Sequence, residues 1–401
     1  MTVEISYPLP SPPTIYHPLP ELLEYQQNQP VVQVRMADGT EAWLVSRYED
    51  VRQILVDQRF SRAATAGPGG PAKELGDLET QSLIGMDPPE HTRLRRIVAH
   101  AFTPRRIEEL RPRVASLVAE LIDTMTALPR PVDLVEHFST PLPVQVISEL
   151  FGIPEADRHK CKEWSDTMMG DWQQDPEGTE AAVQGFSELI ESRRSEPGDD
   201  LISALISAHD DHDRLTEREL LMVSIGVMIG GHETTTNQIN LFVLTLLRYP
   251  EQLARLLADQ SRIPQAVEEL TRFIQLGETG VMLPRIATEA IELSGVLVPA
   301  GATVLPAFMA ANRDPAVFEE PDTLNLRRPA NPHLGFGAGV HHCLGAQLAR
   351  MELQEALRGL LGRLPDLRLA VPESDLRFTQ GLVVRRLEEL PLTWSGEARL
   401  R

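Results

Sequence analysis

Between Leu215 and Pro250 the chain reads LTERELLMVSIGVMIGGHETTTNQINLFVLTLLRYP, two apolar halves flanking a polar centre, GGHETTTNQ. The apolar spacing predicts one long helix. Its polar centre spans more than two turns and so points in every direction; a face turned to solvent accounts for only part of it, and burying the rest without partners is costly. Runs of the LVAELI, VISELF and LISALI type extend the helical pattern from His91 to about Gln275. Upstream, VVQVRM and EAWLVSR flank an ADGT turn and predict a hairpin, followed by a helical RYEDVRQILVD. Short β-like segments return at IELSGVLVPAGATV and near GLVVRRLEELPLTW, separated by a helical LGAQLARMELQEALRGLLGRL. The proline-rich first 20 residues read as extended, and residues 61–89 form a long Gly/Pro-rich connection of a length usually functional or disordered. No repeat or linker divides the chain. The expectation is one large domain over residues 1–401, mainly α with a minor β region.

Composition excludes several classes. A net charge of −20 argues against general nucleic-acid binding, which relies on cationic patches. No run approaches the about 18 apolar residues that span a membrane. The first residues lack a basic region followed by an apolar one, which points to a cytoplasmic protein. Two cysteines, Cys161 and Cys343, build no disulfide framework.

Cys343 lies in FGAGVHHCLG. No second cysteine lies near it to build a zinc site, and the adjacent His341 and His342 are poorly placed to activate it as a nucleophile. A structural thiol is the bland alternative. Its context favours more: Gly337 and Gly339 allow close approach to something flat and large, and Gly345 opens a helix whose N-terminus would hold the sulfur as thiolate, the form that binds iron.

The pattern Phe336-Gly337-x-Gly339-x-His341-x-Cys343-x-Gly345 resembles the haem-binding loop of the cytochrome P-450 superfamily, with Ala338 where bacterial members often carry histidine. The resemblance makes Cys343 the axial thiolate of haem b, held also by Phe336, Gly337, His341 and Gly345. The stretch Gly230-Gly231-His232-Glu233-Thr234-Thr235 is similar to the family's oxygen-activation motif, in which a glycine-widened helix admits dioxygen; Glu233 and Thr234 match its proton-delivering acid–alcohol pair, and Gly230 stands where alanine is common. His232 reads as structural. Glu269 and Arg272 match the family's ExxR pair, which is buried and completed by a residue ahead of the Cys loop. Arg328 and His333 are the candidates for that third partner, since the family's usual Phe-Asp is replaced by Leu324-Asn325. His91 and Arg95, on one helix face in HTRLRR, resemble the family's propionate clamp, with Arg285 and His341 completing it.

These motifs stand in the family's order over roughly residues 30–395. The resemblance implies a monooxygenase that inserts one atom of dioxygen into a small apolar substrate, by hydroxylation or epoxidation, in secondary metabolism such as antibiotic biosynthesis. Electrons would come from NAD(P)H through separate proteins, a ferredoxin and a ferredoxin reductase. The alternatives are a peroxide-driven peroxygenase and a non-catalytic haem-thiolate sensor; relatives of the first tend to lack the acid–alcohol pair that Glu233 and Thr234 match, and a sensor would not need it. Family topology places the substrate against Leu83 and Ile84 in the 61–86 connection, against residues around 164–186, and against Ile225, Met228, Ile229, Val281, Met282, Leu382 and Val383. Between residues 93 and 113, Arg93, Arg95, Arg96, Arg105, Arg106, Arg111 and Arg113 face only Glu108 and Glu109, and Arg350 could join them. That strip is the expected dock for an acidic ferredoxin.

Overall fold

The computed structural model describes residues 6–7, 16–67, 82–169, 175–210, 215–274, 276–277, 283–379, 384 and 386–396. In chain order the elements begin with β1 (Ser6–Tyr7), α1 (Pro20–Asn28), β2 (Val31–Met36), β3 (Glu41–Val45), α2 (Tyr48–Val56) and β4 (Phe60–Ser61). A helical run follows: α3 (Glu90–Ala99), α4 (Pro104–Thr126), the short β5 (Val132–Asp133), α5 (Pro141–Leu150), α6 (Arg158–Met169), α7 (Pro176–Ser195), α8 (Leu201–Asp210), α9 (Glu217–Arg248), α10 (Pro250–Ala258) and α11 (Ile263–Phe273). Then come β6 (Arg285–Ala287), β7 (Ile291–Leu293), β8 (Val296–Val298), β9 (Thr303–Pro306), α12 (Phe308–Ala311), α13 (Ala346–Arg363), β10 (Arg368–Leu369) and β11 (Pro391–Thr393). The chain is mainly α with small sheets, as its sequence implies. None of the helices among the described residues is long and apolar enough to cross a membrane.

The chain divides into two compact units interleaved in sequence. One comprises 1–92, 265–343 and 380–385, the other 93–264, 344–379 and 386–401.

The first unit is built on a six-stranded sheet of order β1-β2-β3-β9-β6-β4. The expected hairpin is its antiparallel β2–β3 pair, registered Val31 to Val45, and β9 joins β3 in parallel. Alternation buries Ala42 and Leu44 against Leu19, Leu22 and Ala307. Helix α1 was not foreseen, although Pro20 at its first turn is a start signal. Gln26 on its buried face donates to Ser46 O at 2.8 Å and Ala310 O at 2.7 Å, which ties the helix to β3 and α12.

The second unit is a helical body. Apolar positions Ile107, Val114, Leu117, Val118, Leu121, Ile122 and Met125 of α4 form one stripe and pack on α13. At Gly359 of α13 an added Cβ would come within 2.3 Å of Val118 Cγ1, so only glycine permits this approach. Helix α9 runs for 32 residues from a capping box in which Thr216 Oγ1 accepts from Glu219 N and Glu219 Oε2 accepts from Thr216 N. It packs on α5, α6, α7 and α13, which buries both apolar halves. Gly231 faces α5: a Cβ there would meet Ile147 Cδ1 at 2.5 Å, so this glycine serves helix packing, whereas Gly230 faces open space.

Candidate active site

Cys343 ends a loop that runs into α13. Its amide donates to Phe336 O at 2.8 Å, and Gly337 and Gly339 hold φ of 69° and 67°, a left-handed backbone that glycine adopts freely. Gly339 is also sterically required, because a Cβ would lie 2.3 Å from Leu55 O of α2. The loop is thus pressed against its own unit and presents the Cys343 thiol outward, exposed and outside any disulfide. Cys161, by contrast, is buried and accepts from Ser148 Oγ at 3.3 Å, and burial pushes its thiol up. Of the two cysteines, Cys343 is the one fit to bind a metal.

In the same unit, the His91 ring is buried and lies tilted 4.5 Å from that of His341. Arg285, at 2% exposure, donates to Leu283 O at 2.8 Å and Pro284 O at 3.3 Å. Among the described residues no carboxylate pairs with it. Burial, and secondarily the neighbouring Arg62, pull its pKa down to about 9, while Asp87 opposes them. Since a guanidinium keeps its charge in proteins, this is a buried cation short of an anion. Arg285, an outward thiol and a histidine pair fit a flat iron-bearing group carrying carboxylates; haem b answers that description. Arg95, half-buried, stands one turn beyond His91 on α3. Leu283 holds φ of 56°, a conformation that costs a leucine on the order of 1 kcal/mol, and the Arg285 bond to its carbonyl helps fix it.

On α9, Thr234 Oγ1 donates to Gly230 O at 2.7 Å, one turn back. The Glu233 carboxylate is buried and accepts from Asn237 Nδ2 at 2.8 Å, with Arg386 Nε at 3.8 Å. A hydroxyl and an anchored carboxylate therefore stand on successive residues. The more open face of this helix runs through Gly226, Gly230 and Thr234 at four-residue spacing, with Val227 and Ile229 half-buried beside it. Ile225 and Met228, expected at the substrate, are 2% and 1% exposed and belong to the core. The period of α9 is legible in the sequence, and the Gly226-Gly230-Thr234 spacing marks its more open face. Leu83 is half-buried and Ile84 is 49% exposed. Val281, Met282, Leu382 and Val383 lie outside the described residues.

Glu269 and Arg272 are fully buried on α11 and joined by two bonds of 2.8 Å. Arg328 Nε, Asn331 Nδ2 and the amide of Asn325 complete the carboxylate shell at 3.0, 3.1 and 2.9 Å. His333, the other candidate for the third partner, bonds Glu268 instead, at 3.1 Å. Asn331 carried no sequence signal.

The arginine strip is less positive than its sequence count. Arg93 pairs with Glu219, Arg106 with Asp199 at 3.6 Å, Arg111 with Glu108 and Glu355 at 2.6 and 2.5 Å, and Arg113 with Glu149 at 2.7 Å. Arg105 pairs with Glu109 at 3.0 Å. Most of these carboxylates come from other elements, which a local count cannot see. Arg96 is exposed and pairs with no carboxylate among the described residues.

A cytochrome P450 family model matches residues 177–365. Mycinamicin IV hydroxylase/epoxidase of Micromonospora griseorubida is 48% identical over 375 residues, covering 92% of this chain and 94% of its own. Nocardicin C N-oxygenase of Nocardia uniformis subsp. tsuyamanensis is 47% identical over 371 residues, covering 91% and 93%. Among solved structures, a variant of the mixed-function P450 MycG in complex with mycinamicin V superposes with a TM-score of 0.90 at 45% identity, covering 98% of this chain and all of the other.

Proposed function

The chain belongs to the cytochrome P450 family, and from that premise we propose that it is a haem-thiolate monooxygenase whose iron ligand is Cys343 and whose substrate is an apolar natural product of secondary metabolism. The observation that carries the reading is the outward Cys343 thiol on a loop locked by Gly339, in one unit with the anion-seeking Arg285. Haem supplies the iron, and the thiolate the electron density, by which the O–O bond of dioxygen is split.

The protein's own residues do the rest. Arg285, His91, His341 and Arg95 would hold the two carboxylates of the group, where Arg285 gains its missing counter-charge. The positive end of α13 favours Cys343 as thiolate. Thr234 and Glu233 would organise the water that delivers two protons. The Thr234 hydroxyl donates to Gly230 O and keeps its lone pairs for a water, while Asn237 holds the Glu233 carboxylate in place. Leu83 and Ile84 offer the substrate aliphatic surface, and the family resemblance adds Ile229; such residues suit a terpenoid, macrolide or polyketide skeleton. The related enzymes named for mycinamicin IV and nocardicin C support a natural-product substrate.

Electrons would arrive from NAD(P)H through a ferredoxin and its reductase. With its neighbours paired, Arg96 is the exposed cation left to steer an acidic donor. The test is turnover of natural products selected by the Soret shift they induce. One atom of labelled dioxygen should enter the product, dependent on NADPH, reductase and ferredoxin. Product formed only when hydrogen peroxide is supplied would replace this reading with a peroxygenase.

A further inference from the structure

Arg62 directly follows β4 and is 2% exposed. Its Nε donates to Ile84 O at 3.1 Å and its Nη1 to Pro284 O at 2.6 Å, a carbonyl 222 positions away in sequence. The Arg62 amide donates to Asp87 Oδ1 at 2.8 Å, and the Ser61 hydroxyl takes the other oxygen of that carboxylate. Both ends of residues 84–87 are therefore fastened to the strand end from which Arg62 projects. Pro284 O also accepts from Arg285 Nη1 at 3.3 Å, so one carbonyl is shared by Arg62 and the arginine proposed to hold the haem carboxylates.

One of the two segments that Arg62 bridges carries side chains assigned to the substrate, and the other carries an aliphatic side chain next in sequence to residues so assigned. One holds Leu83 and Ile84. The other holds Leu283, the described residue after Val281 and Met282, in its left-handed conformation. Bridging two carbonyls from Nε and Nη1 needs a planar fork; a lysine offers a single point of donation on a flexible stem.

We propose that Arg62 is a positioning residue that locks the 82–87 segment to the Leu283–Arg285 segment and thereby sets which bulky ligands the enzyme admits. It neither meets the substrate nor moves a proton. The inference rests on the reading of these segments as walls of the substrate site.

The test compares holoenzyme carrying Arg62→Lys or Arg62→Met with wild type, using two azole probes. Imidazole is small enough to reach the iron without touching the walls, and clotrimazole must fit between them. Both variants should keep the CO spectrum of a thiolate-ligated haem and bind imidazole within about twofold of wild type, while clotrimazole weakens at least about tenfold, the scale of losing one charged hydrogen bond between the walls. Hydrogen exchange should rise together in 82–87 and 283–287 and stay unchanged in the β7–β8 hairpin. Unchanged clotrimazole affinity, or exchange that rises in only one segment, overturns the proposal. So does failure of both variants to incorporate haem, because Arg62 would then serve the fold. Absence of the thiolate spectrum in the wild type would instead sink the haem reading itself.

Discussion

Arg328 Nε donates to Glu269 Oε2 at 3.0 Å across 59 residues of chain, and the same oxygen accepts from Arg272 Nε at 2.8 Å. One fully buried carboxylate thus pairs with two guanidiniums and collects Asn325 and Asn331 besides. Glu269→Gln keeps the shape and removes the charge, leaving two buried cations uncompensated. Denaturant unfolding should find it about 3–5 kcal/mol less stable. His333→Ala, which loses only the bond to Glu268 at the edge of this cluster, should cost about 1 kcal/mol. Equal losses would remove the ground for ranking Arg328 above His333.

Glu352 lies wholly buried on α13, where desolvation lifts its pKa from 4.5 to about 8. The folded protein then binds a proton that the unfolded chain has released. This group's contribution is fully present below pH 4.5 and is lost as pH rises to about 8, at up to about 1.4 kcal/mol per unit. Glu352→Gln should flatten the fall in stability across that window. An unchanged slope would assign the pH dependence elsewhere.

Thr234→Ala should leave the haem spectrum intact and uncouple turnover, so that NADPH is consumed and hydrogen peroxide accumulates in place of product. Removing a positioned proton donor typically costs about 10²–10⁴-fold in the step it serves. Product per NADPH at the wild-type ratio would withdraw the role given to Thr234.

Charge reversal separates the arginines of the basic strip. Arg96→Glu should slow reduction by ferredoxin at low salt and flatten its salt dependence, since no carboxylate among the described residues already offsets it. Arg105→Glu, at a site paired with Glu109, should slow it less. Stopped-flow reduction at two ionic strengths decides; equal effects would mean that the Arg105–Glu109 pair does not mute its charge.

The legible parts of this molecule are those whose cause is local. The capping box Thr216–Glu219, the apolar stripe of α4 and the glycines around Cys343 each announce an element within a few residues. The parts that were hidden depend on distant chain. Nothing near Arg328 says that it, and not His333, reaches Glu269. Arg62 follows a two-residue strand with no motif, and its partners Ile84 and Pro284 offer only backbone. The net charge of the arginine strip was hidden because Glu219, Asp199, Glu149 and Glu355 arrive from elsewhere in the fold. Hydrophobicity sets the period of α9 but not which aliphatic face stays open, and Ile225 and Met228 lie on the closed one.

The central claim is that Cys343 ligates the iron as thiolate. Its most direct test is the Soret band of the reduced, CO-bound protein, compared between wild type and Cys343→His. The wild type should show the strongly red-shifted band that only a thiolate donor gives. Cys343→His should retain haem, held by Arg285, His91 and His341, with the band moved to the position of a histidine-ligated haem. A red-shifted band that persists in Cys343→His would contradict the account.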